Sequence, residues 1–208
     1  MARAGWAGPT VLAAEAAWAL ADLAETEAPA VLPACRRLLD HHPDCAPLWW
    51  VAAHVLTAGD PVDEAQRCGD ELESDPTIDL LDEMRAESGR VVRRGGMGEV
   101  AAADAVVVTA TAIGHTGMVV DGDALGLLAA ARAAEVPVWV EGGVGRVLPT
   151  RLWDAMILRL DHAEHGRTGR MEELTGVTLV IGPGGAQTLP ITLASTNCPE
   201  PGELLAGW

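Results

Sequence analysis

Three polar segments beside glycines are where this chain could do chemistry. The first is Glu141-Gly142-Gly143-Val144-Gly145-Arg146. Glycines leave backbone open to a ligand, a carboxylate can move a proton, and a guanidinium grips phosphate or carboxylate through paired N–H donors. The same letters also spell a turn with a surface arginine. The second is His115 with Asp121 and Asp123. An imidazole and two carboxylates are acid–base groups, set either in a polar ligand pocket or on a solvated loop. The third is Gly182-Pro183-Gly184-Gly185, where the amides of Gly184 and Gly185 could cradle an anion. Against that, Pro183 has no donor and no clear helix cap follows.

Metal chemistry has less to work with. His41-His42-Pro43-Asp44-Cys45 offers N, O and S groups, but it is a helix-ending proline turn with no second cluster beside it. Asp161, His162 and His165 fall at a helix C-terminus, where the dipole favours histidine. Cys35, Cys45, Cys68 and Cys198 form no CxxC pair, so reduced, buried thiols are expected. No metal site and no cofactor is expected.

The elements that must position these groups follow from hydrophobic period. Helical spacing predicts helices over 9–25, 28–40, 46–57 and 62–73, and a fifth opening at Asp75-Pro76-Thr77 and stopping at Ser88-Gly89. Leu48–Pro76 has the cadence of one tetratricopeptide unit, without a second copy. The pattern then changes. A short strand at 90–93 and a short helix at 97–103 precede Ala105-Val106-Val107-Val108, a β-branched run of the kind buried on both faces. A helix over 122–134, a strand over 136–140, a helix over 149–165 and a strand over 177–181 complete the alternation. The fold class is therefore α/β: a helical segment over 1–88, a mostly parallel Rossmann-like sheet with flanking helices over 89–198, and a loose Pro/Gly tail over 199–208. In such sheets ligands sit beyond the carboxyl ends of the strands, at 109–115, 141–146 and 182–187.

Composition narrows the function further. The chain has 208 residues, 49% of them hydrophobic, enough for a real core. It has no Phe, Tyr or Lys, and one Asn, Asn197, which points to a GC-rich prokaryotic genome. Seven Trp must supply the large core pieces. The net charge of -16 disfavours nucleic acid. No signal-peptide pattern opens the chain and no apolar run would span a membrane, so a cytoplasmic protein without membrane partners is expected.

The run Asp104-Ala105-Val106-Val107-Val108-Thr109-Ala110-Thr111-Ala112-Ile113-Gly114, then Gly117-Met118-Val119-Val120, an Ala-rich helix and Val136-Pro137-Val138-Trp139-Val140 resembles the core of the translation initiation factor 2B alpha/beta/delta family. That family includes the methylthioribose-1-phosphate and ribose-1,5-bisphosphate isomerases. Val11–Leu23, the segment from Pro43 to Trp50, and Gly182-Pro183 with Thr188 and Pro190 extend the likeness over most of the chain, as a short and diverged member. The resemblance implies a sheet domain that pairs subunits, here a homodimer, and a pocket for a phosphorylated sugar. It also implies a catalytic Asp in a Gly-Ala-Asp turn, with an upstream Cys. Thr111 stands at that Asp, and a hydroxyl of ordinary acidity does not replace a carboxylate. No strand-end Cys lies upstream; Cys68 is nearest, within a helix. Asp121-Gly122-Asp123 replaces an Asn-Lys turn, putting carboxylates where phosphate would meet a cation.

Two readings result. One is a non-catalytic or regulatory homologue that binds a phosphorylated metabolite or a protein partner, with Thr111, Gly142, Gly143, Arg146, Gly184 and Gly185 lining the ligand. The other is an aldose–ketose sugar-phosphate isomerase whose acid–base residues have moved to Glu141, His115, Asp121 or Asp123. Convergence of Thr111, His115, Glu141 and Arg146 is required of both site assignments.

Overall fold

A computed structural model describes residues 8–162 and 169–205 of the chain. Five α-helices come first: α1 (Pro9–Glu27), α2 (Val31–His41), α3 (Ala46–Thr57), α4 (Pro61–Glu73) and α5 (Thr77–Glu87). Proline within the first turn of α1, α3 and α4 fixes φ where the N–H has no helical partner. Asp60 caps α4 by accepting from the amides of Val62 and Asp63. α3 is apolar all round and buried along nearly its whole length, as a helix at the centre of a core must be. α1 and α4 pack closely because Gly69 leaves room for Trp18, whose indole N–H donates to Glu73 Oε1 at 2.9 Å.

The sheet begins where the helical period ends. Its strands are β1 (Val91–Val92), β2 (Ala105–Ile113), β3 (Met118–Val120), β4 (Val138–Glu141), β5 (Arg170–Glu172), β6 (Val177–Gly182) and β7 (Gly185–Gln187). β1, β2, β4 and β6 pair in parallel and form the Rossmann-like centre. β3 runs antiparallel to the second half of β2, β5 antiparallel to β3, and β7 antiparallel to β6. The expected mostly parallel sheet is thus the middle of a mixed one. β2 is also longer than its valine run predicted. Its second half alternates more and less buried residues after Val108, and a bulge between Ala110 and Ala112 re-aims the strand.

Helices α6 (Met97–Ala101), α7 (Gly122–Ala133), α8 (Thr150–His162), α9 (Leu189–Ala194) and α10 (Gly202–Leu205) complete the described chain. The end of the predicted helix beyond His162, with His165, lies outside the described residues. One apolar cluster runs from Ala13, Trp49 and Trp50 of the helices to Ala112, Val119 and Trp153 beside the sheet. The helical segment and the sheet therefore share a core. Trp49, Trp50 and Trp153 are fully buried, while Trp18 and Trp139 are partly exposed. No helix among the described residues is long and apolar enough to cross a membrane.

The tail expected to be loose is packed over 199–205. Leu204 is fully buried, Glu203 O accepts from Arg36, and Glu200 accepts from the Arg151 amide at 3.0 Å. A leucine placed by the helical turn of α10 anchors the segment against α8. Leu204→Ala should lower stability by about 2–5 kcal/mol in urea unfolding, the range for truncating a buried leucine. A loss below about 0.5 kcal/mol would mean that the tail is not held.

Candidate functional site

The carboxyl ends of β1, β2, β4 and β6 carry most of the polar residues, and Glu141 is at their centre. It is the last residue of β4 and 5% exposed. Strand alternation sends Val138 and Val140 into the core under α7, and Trp139 and Glu141 to the other face. There Glu141 Oε2 accepts from Arg93 Nη2 at 2.6 Å and from Thr109 Oγ1 at 3.0 Å. Its Oε1 lies 3.5 Å from Arg146 Nη1. A buried charge is tolerated when it is paired and hydrogen-bonded, and both oxygens of this carboxylate are engaged.

Arg146 points inward. It is 9% exposed, donates from Nη1 to Ala110 O at 3.1 Å and from Nη2 to Thr10 Oγ1 at 3.2 Å. Expected to reach a ligand, it instead ties β2 to the start of α1. The glycines before it have packing reasons too. A Cβ on Gly143 would overlap Asp75 Oδ2, the oxygen that accepts from the Val144 amide at 2.8 Å. Gly145 has φ +71° and abuts Trp50. Asp75 also accepts from Thr77 N at 3.0 Å and Thr77 Oγ1 at 2.5 Å, so it fastens the start of α5 to the loop.

The remaining candidates go elsewhere. Thr111 donates to Val119 O at 3.2 Å. His115 is in the turn before β3, 3.6 Å from Asp154 and exposed. Asp121 caps α7 by accepting from the Ala124 amide at 2.9 Å, and Asp123 is exposed in the first turn. The required convergence is therefore not met: Glu141 and Arg146 meet, while Thr111 and His115 have separate partners. In His41-His42-Pro43-Asp44-Cys45, the Asp and the Cys have partners of their own. Asp44 accepts from the Gly169 amide, and Cys45 lies against Pro9 O with its thiol pushed up to about 12 by burial.

Two cavities open at the strand ends. The smaller, about 320 Å³, brings Gly142, Gly143, Gly184 and Gly185 together with Trp50 and Asn197, and no charged side chain lines it. The larger, about 980 Å³, is bordered by Arg85, Arg93, Arg94, Thr109, Asp121 and Asp123. Its three arginines were missed in the sequence. The signal was there: Arg93-Arg94 follows a strand and precedes Gly95-Gly96, the strand-end pattern looked for elsewhere.

No protein-family profile matches this chain. No curated protein matches it by sequence either. Solved structures match it by fold. The tetrameric eIF2B-beta2-delta2 complex from C. thermophilum aligns at 13% identity over 91% of this chain and 88% of that one, with a TM-score of 0.68. eIF2B beta from Chaetomium thermophilum aligns at 14% over 95% and 87%, TM-score 0.66. The Pyrococcus horikoshii OT3 translation initiation factor eIF-2B aligns at 14% over 89% and 93%, TM-score 0.64. The chain is an α/β protein with the fold of the eIF2B subunits. It spans 87–93% of the length of those chains.

Gly143→Ala should destabilise the protein by about 1–3 kcal/mol, the usual range for forcing extra volume into a packed site. Urea unfolding would measure it, and an unchanged midpoint would return Gly143 to the open turn read from the sequence.

Proposed function

We propose that the protein is a non-catalytic subunit-type module that binds a small phosphorylated metabolite and associates with itself. The observation that carries this reading is the larger cleft, where Arg93 and Arg94 leave the end of β1 beside the Thr109 hydroxyl. Arg94 is exposed, Arg85 is held by Asp82 at 2.9 Å, and Arg93 is held by Glu141. Guanidinium groups bind phosphate oxygens in pairs. Asp123 at the rim suits the hydroxyls of a sugar, since a carboxylate accepts and never donates.

Turnover finds little support in the same cleft. Aldose–ketose isomerisation needs a base to take a carbon-bound proton and an acid at the carbonyl oxygen. Glu141 is covered by two arginines and a threonine, and Thr111 has a backbone partner. The relocated isomerase reading would need Glu141, His115, Asp121 and Asp123 to act on one substrate, yet His115 is paired with Asp154 away from the cleft and Asp121 caps α7.

Self-association follows from likeness rather than from contacts in this chain. One fold neighbour is a tetrameric complex of beta and delta subunits. A homodimer acting in the cytoplasm is the corresponding proposal here, with the -16 charge keeping nucleic acid away.

Thermal unfolding with ribose 5-phosphate, other pentose phosphates and inorganic phosphate tests the ligand. At 100-fold excess over Kd the gain should be about 2.7 kcal/mol, a shift of a few degrees. The shift should vanish in Arg94→Ala, whose exposed side chain is not needed for folding. No shift with any phosphate ester would reject the metabolite. A monomer by light scattering at high protein concentration would reject the self-association.

A further inference from the structure

The helical segment holds a cluster that neither the cleft nor the sheet uses. Glu64 and Cys68 are four residues apart on α4 and so share a face. His54, near the end of α3, faces them. Their donor atoms, His54 Nδ1, a Glu64 carboxylate oxygen and Cys68 Sγ, all lie within 4.8 Å of one another.

A guanidinium nitrogen sits among all three. Arg67 Nη2 is 3.1 Å from His54 Nδ1, 2.5 Å from Glu64 Oε1 and 3.8 Å from Cys68 Sγ. One cationic atom touching an imidazole nitrogen, a carboxylate oxygen and a sulfur occupies the position a metal ion would take. We propose that His54, Glu64 and Cys68 form a site for a divalent transition metal ion, zinc being the best match, and that Arg67 is the resident cation the metal displaces.

The donor set selects the metal class. One N, one O and one S suit zinc and its neighbours rather than calcium or magnesium, which take oxygen. Zinc bonds of about 2.0–2.3 Å set tetrahedral donors roughly 3.3–3.8 Å apart. His54 Nδ1 and Glu64 Oε1, now 2.7 Å apart, must separate slightly, and the sulfur must draw in. Neutral imidazole, carboxylate and thiolate would balance the ion's two charges.

Arg67 can leave. Its side chain is 38% exposed, and Glu71, one turn on, already pairs with its other nitrogen and can keep it outside. A cavity of about 530 Å³ bordered by His54, Thr57, Asp60, Asp63, Glu64 and Asn197 gives an ion its path and leaves room for a water as fourth ligand. Without metal, burial holds the Cys68 thiol protonated. Coordination would deprotonate it.

Cobalt(II) is the probe, because a thiolate–cobalt bond gives a near-ultraviolet charge-transfer band and tetrahedral cobalt gives visible bands. Titrated into the purified full chain, it should give both, and zinc should bleach them at one equivalent. Arg67→Ala should bind cobalt about tenfold tighter, since no charge-assisted bonds need displacing. Cys68→Ser should lose the charge-transfer band while keeping its circular dichroism spectrum. If Cys68→Ser does not fold, His54→Gln should shift the visible bands or abolish binding. A band that survives in Cys68→Ser, or no band in the native chain, overturns the proposal. A band seen only in Arg67→Ala also overturns it, because the guanidinium is then the permanent occupant.

Discussion

A carboxylate buried at the end of β4 sets the terms for the rest of the sheet edge. Glu141 is engaged by Arg93 beyond β1, Thr109 on β2 and Arg146 in its own loop, and Arg146 reaches on to Thr10 at the start of α1. Four parts of the chain are thereby held by one ionised group. Moving such a charge out of water is unfavourable by several kcal/mol, and attraction to its partners offsets this only with good geometry and satisfied lone pairs. The strand register, the loop after β4 and the docking of α1 must all hold for that condition to be met.

On the proposed reading, the same condition favours binding over turnover. A carboxylate whose two oxygens are taken by two guanidinium groups and a hydroxyl has no free oxygen to offer a substrate. The cations it does not fully cover, Arg93 in part and Arg94 wholly, face the larger cleft. The smaller cavity is neutral, and packing against Asp75 and Trp50 explains its Gly143 and Gly145. Exposed guanidinium on one side and steric closeness on the other distinguish the two cavities at the strand ends. The cluster on α3 and α4 is separate from the larger cleft, and Trp50, which lines the smaller cavity, packs against its His54.

Much of the architecture was legible in the letters, and the failures are instructive. The α/β alternation and the parallel β2–β4–β6 centre followed from periodicity and from valine runs. β3, β5 and β7 were not assigned as strands, because strands of three residues carry too little pattern to show alternation. Glu141 and Arg146 were singled out by their place beside glycines, but sequence does not give the direction of a side chain. Direction decided the outcome: inward, they make a brace; outward, they would have made a pocket. Leu204 in a Pro/Gly-rich tail and the meeting of His54 with Glu64 and Cys68 depend on contacts between elements. No local spacing encodes those contacts. At 13–14% identity the likeness to eIF2B subunits is a likeness of fold.

The central claim is that Glu141 braces the sheet edge through Arg93. A double-mutant cycle on that pair measures it most directly: native protein, Arg93→Ala, Glu141→Gln and the combination, each unfolded in urea. The account predicts a coupling energy of about 1–3 kcal/mol, with the double variant losing less than the two single losses combined. Additive losses would contradict it, freeing Glu141 from the brace and returning it to the list of groups available for chemistry.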